Sequence, residues 1–318
     1  MTRQRASCSE GGTGEFALSR RQLLAAASAA PLAAAASPAP VLCLFTKHLP
    51  HLGYRELAST LRLMGFAGAD LTARPRGHVL PENVERDLPR AYEALAAEGV
   101  ALPMITTGLL SSRDPAARST LYTAAGLGVP FFKLGYFRYR GYDGFDERLA
   151  RVKSDVESLA AIASHAGITG GFHNHSGDYV GSALWDHWWV LRDTNPDHVG
   201  FYFDPCHATI EGGSAGWEIG FHRLQPHVRM VACKDFRWER AQGGRWRPRM
   251  CPLGEGMVDY PRFFELLAAS GFSGPISLHV EYHIDAPTEA RRIDREMQAI
   301  ERDFARLRGF FEGAYGRA

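Results

Sequence analysis

Four short segments of this sequence follow apolar runs and end in side chains that can move protons or bind metals. Their polar residues are His173 and His175, Asp204 and His207, Lys234 and Asp235, and His279 and Glu281. In the first and last pairs the two residues are two positions apart, so in an extended strand their side chains lie on one face. Imidazoles, carboxylates and an ammonium group brought to one place can carry out acid-base chemistry. We therefore treat these segments as candidate parts of one catalytic site.

The two most informative of these residues are Asp204 and Glu281. Two carboxylates that face one buried site repel each other unless a cation lies between them. Imidazoles beside them would add nitrogen ligands, and mixed nitrogen and oxygen ligation suits Mn²⁺, Zn²⁺, Co²⁺ or Fe²⁺ better than Mg²⁺. The residue types therefore predict a divalent metal, whose identity the sequence leaves open.

The elements that must position these residues alternate along the chain. From about residue 40, short apolar runs alternate with longer segments of helical period eight times, which predicts βα units closing into a single (β/α)8 TIM barrel. In such a barrel, the chemistry lies at the carboxyl ends of the strands. The predicted strands are Val41–His48, Ala69–Arg74, Leu102–Gly108, Phe131–Phe137, Thr169–His175, Gly200–Pro205, Arg229–Phe236 and Pro275–Tyr282.

Two further features of the pattern bear on the site. The stretch Arg237–Arg249 carries Gly243-Gly244 between charged residues and tryptophans, which predicts a hairpin inserted after the seventh strand. The sixth predicted strand is followed by a helix that the periodicity places at Gly216–Gln225. In a barrel, an insertion after a strand lies over the active face.

Several motifs resemble those of the sugar phosphate isomerase/epimerase family, within the xylose isomerase-like TIM barrel superfamily. They span essentially all of the chain after its leader, and they are Phe203-Asp204-Pro205-Cys206-His207-Ala208, Lys234-Asp235-Phe236, Pro252-Leu253-Gly254-Glu255-Gly256 followed by Val258-Asp259-Tyr260, and Gly274-Pro275 through Glu281. The resemblance implies a divalent metal held by one residue from each of the fifth to eighth strands. It also implies that two glutamates near the metal move a proton on an α-hydroxy-carbonyl sugar.

The sequence departs from the family pattern at two positions. Asp204 and Glu281 match metal-ligand carboxylates, but His173 lies where the family usually has a glutamate, and Ala232 lies where it usually has a histidine ligand. One proton-transferring glutamate and one metal ligand are therefore missing. His173, His175 or His279 could supply the lost nitrogen, and the predicted metal ligands are His173, His175, Asp204 and Glu281.

The resemblance and the strand ends together suggest roles for the remaining polar residues. We predict Glu281, His207 and Lys234 as catalytic residues, with Glu281 doubling as base if it binds the metal, and His207 or Lys234 as base otherwise. Lys234 and Asp235 point to opposite faces by alternation, and a structural ion pair between them is the alternative reading. The predicted substrate-binding residues are Arg74, His78, Lys133 and Glu255.

The N-terminal residues and the composition limit the setting in which this chemistry occurs. Ser-Arg-Arg-Gln-Leu-Leu at 19–24 runs into an alanine-rich stretch ending near Ala36, which resembles a twin-arginine export signal. We therefore predict a signal peptide at 1–36, a barrel at 37–318, and a periplasmic or secreted protein. Lys+Arg total 36 against Asp+Glu 35, so the chain lacks the basic surface that nucleic acid requires. No segment predicts a membrane span, and the oligomeric state is open, a homo-oligomer included.

The first functional prediction is a metal-dependent isomerase or epimerase that removes a proton next to the carbonyl of a sugar or keto-sugar through an enediolate. Export favours an unphosphorylated substrate, because sugar phosphates are mainly cytoplasmic. A lyase or hydratase acting on a 3-keto-glycoside shares the first step. A non-catalytic carbohydrate-binding barrel and a DNA-repair endonuclease are the readings from other classes.

Overall fold

The computed structural model describes residues 39–141 and 143–316. The predicted signal peptide at 1–36 lies outside the described residues. None of the described helices is both long and apolar enough to cross a membrane.

Eight parallel strands close into one barrel, as the alternating pattern predicts. In chain order they are β1 (Leu42–Phe45), β2 (Gly68–Ala73), β3 (Ala101–Thr107), β4 (Phe131–Lys133), β5 (Thr169–His173), β6 (Val199–Phe203), β7 (Val228–Cys233) and β10 (Ile276–Leu278). Each strand pairs with the next, and β10 pairs with both β7 and β1, which closes the barrel. The (β/α)8 TIM barrel is therefore confirmed, and all carboxyl ends of the strands meet at one face.

Helices follow the strands and cover the outside of the barrel. They are α1 (Tyr54–Leu63), α2 (Val84–Ala97), α3 (Ala117–Gly126), α4 (Phe145–Ala166), α5 (Leu184–Leu191), α6 (Pro205–Leu224), α7 (Tyr260–Ala269) and α8 (Glu289–Tyr315). The strands are nearly all buried because one face packs against these helices and the other fills the barrel.

Helix α6 begins earlier than its periodicity predicts. It starts at Pro205 instead of Gly216, and the two parts join across a kink at Gly213, whose φ is 64°. The first part lacks a clear amphipathic period, so the prediction missed it. The start of α6 matters for the site, because Asp204 caps the helix there.

A two-stranded antiparallel hairpin follows β7, which confirms the predicted insertion. It consists of β8 (Asp235–Arg240) and β9 (Trp246–Cys251), with Arg240 opposite Trp246 beside the turn. The hairpin begins directly after Lys234, so it extends from the same face of the barrel as the strand ends.

An apolar cluster fills part of the barrel below the site. Met104, Tyr202, Met230 and Ala232 form a buried cluster there, with Phe131 packed against it. The Cβ atom of a larger residue at Gly171 would collide with the Met230 side chain, so a glycine in β5 makes room for that methionine. This layer is the floor on which the polar residues rest.

Candidate active site

The carboxylate of Asp204 is the centre of the polar cluster at the strand ends. Asp204 follows β6 in extended conformation and caps α6, with its Oδ1 atom accepting a hydrogen bond of 3.0 Å from the His207 amide. Pro205 at the first helical position fits this start, because its ring fixes a helical φ and it has no amide to satisfy. The Asn174 side chain holds the Asp204 backbone through two hydrogen bonds. One carboxylate oxygen, Oδ2, is left to face the barrel mouth.

The ammonium group of Lys234 connects Asp204 to Glu281. Its Nζ atom lies 3.1 Å from Asp204 Oδ2 and 2.8 Å from Glu281 Oε2. The other oxygen of Glu281, Oε1, accepts from the Nζ atom of Lys47 at 2.8 Å. The Lys234 and Asp204 side chains are 3% and 0% exposed, and Glu281 is 21% exposed. Two carboxylates and two ammonium groups thus alternate across the barrel mouth.

The charges of this chain of ion pairs hold one another in the ionised state. Burial by itself would raise the pKa of Asp204 and of Glu281, but the Lys234 ammonium holds the pKa of both carboxyls below the usual range, that of Glu281 strongly. Burial would lower the pKa of Lys234, but the carboxylates of Asp204 and Glu281 raise it well above its usual value. Lys234 is therefore a permanent cation at this site.

Two buried imidazoles lie against the same Asp204 oxygen. His173 Nε2 is 3.3 Å and His207 Nε2 is 3.8 Å from Asp204 Oδ2. The other ring nitrogen of His173 shares a hydrogen bond of 2.8 Å with the Tyr136 hydroxyl, and that of His207 shares one of 2.9 Å with Ser176. The pKa of both imidazoles lies well below the usual value. Burial is the largest cause, and the charge of Lys234 is the next. Both rings are therefore neutral, and His207 Nε2 is buried without a hydrogen-bond partner in the described structure.

His175 and His279 flank this centre without contacting its carboxylates. His175 directs Nδ1 to the Ser176 carbonyl at 2.8 Å and packs its ring against that of His207, with centroids 4.0 Å apart. His279 stacks on Phe45. Its Nε2 atom lies 3.3 Å from the Tyr202 hydroxyl, which faces the floor of the barrel. Neither residue replaces a ligand at the position of Ala232.

A buried carboxyl, that of Asp70 in β2, belongs to the layer below. It accepts hydrogen bonds from the hydroxyls of Thr106 at 2.6 Å and Ser277 at 2.8 Å, with Tyr202 at 3.4 Å. Burial raises its pKa to about 6, although these donors act in the opposite direction. Sequence reasoning missed Asp70, Lys47 and Tyr136, since none of them belongs to a recognisable motif.

The four predicted substrate-binding residues fall into two groups. Arg74 lies over the Phe45 ring, and its buried Nε atom has no hydrogen-bond partner among the described residues. The Nζ atom of Lys133 lies 3.3 Å from the centre of the Tyr136 ring. The pKa of Lys133 lies well below its usual value, mainly because the residue is buried and secondly because of the charge of Arg74. Tyr136 contacts His173 and Phe45 stacks on His279, so Arg74 and Lys133 both adjoin the cluster.

His78 and Glu255 do not contact the polar cluster at the strand ends. Both ring nitrogens of His78 are in hydrogen bonds, with Thr46 and Thr72 on one side and the Leu49 carbonyl on the other. Glu255 is exposed in the loop before α7. In this structure His78 joins the loop after β2 to Thr72 of β2 and to the segment after β1.

Asp235 points away from Lys234, in agreement with the strand alternation. Its carboxylate accepts hydrogen bonds from the amides of Gly254, Gly256 and Val258 at 3.0 to 3.2 Å. It therefore anchors the loop before α7 instead of pairing with Lys234, and the alternative of a Lys234–Asp235 ion pair is wrong.

A divalent metal is not suited to this arrangement of donors. The two carboxylates predicted to share a metal are joined by the Lys234 ammonium, and Ala232 offers a methyl group in an apolar cluster where a ligand is needed. In residues 39–141 and 143–316, no set of three or more His, Cys, Asp or Glu side chains is arranged to hold a metal ion. The residues present do not fit the cation that the resemblance implies, and we derive no step through it.

The chain is a closed (β/α)8 barrel with polar residues at the carboxyl ends of its strands. This is the face at which TIM-barrel enzymes carry their sites. The sequence model described as xylose isomerase-like TIM barrel matches residues 58–303. The chain belongs to this family.

Curated relatives are similar over part or most of the chain. The inosose dehydratase of Lacticaseibacillus casei is 26% identical over 147 residues, which cover 43% of this chain and 48% of that protein. The chain thus matches about half the length of this relative. The rhizopine catabolism protein MocC of Rhizobium meliloti is 24% identical over 272 residues, covering 73% of this chain and 77% of that protein.

Solved structures of low sequence identity share the fold. The D-psicose 3-epimerase of Clostridium cellulolyticum H10 covers 87% of this chain and all of its own, with a TM-score of 0.64 and 14% identity. The 3-keto-D-glucoside 4-epimerase of E. coli covers 85% of this chain and 99% of its own, with a TM-score of 0.63 and 17% identity. A barrel from Mycobacterium smegmatis in complex with magnesium covers 83% of this chain and 97% of its own, with a TM-score of 0.59 and 16% identity.

Proposed function

We propose that this protein is a sugar-modifying enzyme that removes a carbon-bound proton next to the carbonyl of a sugar or keto-sugar, as an isomerase or epimerase. The observation that carries the proposal is His207 Nε2, a buried nitrogen with no hydrogen-bond partner in residues 39–141 and 143–316, beside the carboxylate that holds the Lys234 ammonium. In the tautomer in which His207 Nδ1–H donates to Ser176, Nε2 carries the lone pair and accepts a proton. A fixed cation stabilises the negative charge that then develops on the carbonyl oxygen.

The roles of the predicted catalytic residues follow from their contacts. His207 is the base, and its Nδ1 partner Ser176 orients the ring. Glu281 is a weak base because both of its oxygens accept from ammonium groups, so its role is to hold Lys234 in place. Arg74 and Lys133 adjoin the cluster and are the groups we assign to the sugar hydroxyls.

The test is the exchange of a carbon-bound hydrogen with solvent deuterium, measured by NMR with a panel of unphosphorylated keto-sugars and 3-keto-glycosides. We expect exchange at one carbon in the wild-type protein and a loss of about 100-fold or more in His207→Gln. The matched control is His222→Gln, which removes an exposed histidine of the same helix. Conversion of a sugar without deuterium in the product contradicts the proposal, and binding without any exchange favours a non-catalytic carbohydrate-binding barrel.

Elimination is a second candidate, supported by the partial similarity to an inosose dehydratase. The same enolate can expel a substituent from the β-carbon instead of taking the proton back. Mass spectrometry separates the two outcomes, because an isomerase or epimerase conserves the mass of the sugar, and a dehydratase reduces it by one water.

We also propose that the protein acts outside the cytoplasm, on the basis of Arg20-Arg21 and the alanine-rich stretch that follows. This location favours an unphosphorylated substrate. N-terminal sequencing of protein recovered from the periplasm tests it, with a mature start near residue 37 expected. Full-length protein retained in the cytoplasm contradicts it.

A further inference from the structure

The Lys234 ammonium lies between two carboxylates that this fold could otherwise direct at a metal ion. Its Nζ atom contacts one oxygen of Asp204 and one of Glu281, at 3.1 and 2.8 Å. We propose that in this protein Lys234 takes the place of a divalent cation, so that the proton abstraction runs on a lysine-centred charge without a metal. This inference rests on the proposed function and concerns the same site.

The volume available to a shared metal is the volume that the ammonium fills. A metal bound to both carboxylates would lie about 2.0 to 2.2 Å from each oxygen. The Lys234 nitrogen is within hydrogen-bond distance of the same two oxygens, and its side chain is 3% exposed and has little room to withdraw. Metal and ammonium therefore exclude each other sterically and by charge.

The ligands that a metal would still need are absent or engaged. Ala232, in β7, projects into the cluster of Met104, Tyr202 and Met230 and supplies no donor atom. The second oxygen of Glu281 already accepts from Lys47 at 2.8 Å.

The local charge is balanced without a metal. Asp204 and Glu281 contribute two negative charges, and Lys234 and Lys47 contribute two positive ones. A divalent cation added between the buried Asp204 and Lys234 side chains would leave a net positive charge there, which is costly. The residues of this chain therefore form a complete set of ion pairs.

The chemistry assigned to the metal is available to the ammonium. As the carbon–hydrogen bond breaks, the proton passes to His207 Nε2, and the electron pair forms the carbon–carbon double bond of the enolate. The carbonyl π electrons move to the oxygen, which accepts a hydrogen bond from Lys234. Reprotonation of the same carbon on its opposite face, by a proton that has exchanged with solvent, completes an epimerisation. Reprotonation of the former carbonyl carbon, with the neighbouring hydroxyl proton moving to the former carbonyl oxygen, completes an isomerisation. Neither outcome transfers an electron to or from the protein.

The test measures metal binding by the full chain. Wild-type protein purified without chelators is analysed by inductively coupled plasma mass spectrometry and titrated with Mn²⁺ by electron paramagnetic resonance. We expect substoichiometric metal, weak Mn²⁺ binding, and solvent exchange that EDTA leaves unchanged. One tightly bound metal per chain that is lost in Asp204→Ala or Glu281→Ala overturns the proposal.

A double variant tests whether the position is suited to a cation. Ala232→His with Lys234→Gln restores a ligand and removes the competing charge, so we expect Mn²⁺ affinity to rise about 100-fold or more, since even outer-shell changes alter metal affinity 10 to 100-fold. Lys47→Gln is the matched control, because it removes an ammonium from Glu281 and leaves Lys234 in place; no rise is expected. A double variant with a native circular dichroism spectrum and unchanged Mn²⁺ affinity overturns the proposal.

The two proposals fail in different ways. Wild-type protein that neither binds metal nor exchanges solvent deuterium contradicts the proposed function. The metal titrations still decide whether Lys234 takes the place of a divalent cation. Exchange that requires a stoichiometric metal contradicts the inference and leaves the proposed function standing.

Discussion

Two lysines pair with the same glutamate at the same distance but differ in burial, which allows a matched comparison. Lys234 and Lys47 each place Nζ 2.8 Å from an oxygen of Glu281, and their side chains are 3% and 47% exposed. The perturbation is Lys234→Met compared with Lys47→Met. Methionine retains most of the volume of the lysine stem, so packing changes little.

The expected losses follow from the partners left behind. Lys234→Met leaves the fully buried Asp204 carboxylate with neutral imidazoles as its nearest side-chain partners, at 3.3 and 3.8 Å. Removal of one partner of a buried ion pair costs about 3 to 5 kcal/mol. Lys47→Met breaks an exposed pair, which costs about 0 to 1 kcal/mol.

Urea unfolding followed by circular dichroism measures both variants, with the m-value checked for constancy. We expect the double variant Lys234→Met with Asp204→Asn to be less destabilised than the sum of its single changes, because the unpaired charge is removed. Equal losses for Lys234→Met and Lys47→Met would refute the reasoning, since burial would then make no difference to the ion pair.

Two other predictions concern stability away from the ion pairs. Burial holds the pKa of His187, enclosed by Phe172 and Phe201, at about 3, so the unfolded chain takes up the proton first as the pH falls below about 6.5. Stability should therefore decrease by up to about 1.4 kcal/mol per pH unit from this group between those values. The free energy of unfolding of His187→Leu, measured over the same pH range, should have a smaller slope. Gly256→Ala places a Cβ atom against the Asp235 carboxylate and should cost about 1 to 3 kcal/mol by thermal unfolding; Gly309→Ala, in α8 with open space around it, should not destabilise the protein.

The sequence by itself determined the architecture and the place of the chemistry. Alternation of apolar runs with helical periods is a local property, so it predicts the eight strands and the hairpin after β7. It also places Asp204, Lys234 and Glu281 at the carboxyl ends of strands, where closure of the barrel must bring them to one face. The early start of α6 was missed because its first part has little periodicity.

Only the tertiary structure decided which atoms meet at that face. Lys47 lies 234 positions before Glu281 in the chain, and only barrel closure brings the two together. Whether Lys234 or a metal joins the carboxylates depends on the direction of side chains within a few ångströms, and alternation predicts only a side of the strand. His78 was predicted to reach the sugar, but its ring nitrogens are engaged by Thr46, Thr72 and Leu49. Such pairings depend on register and packing between distant segments, which no local pattern records.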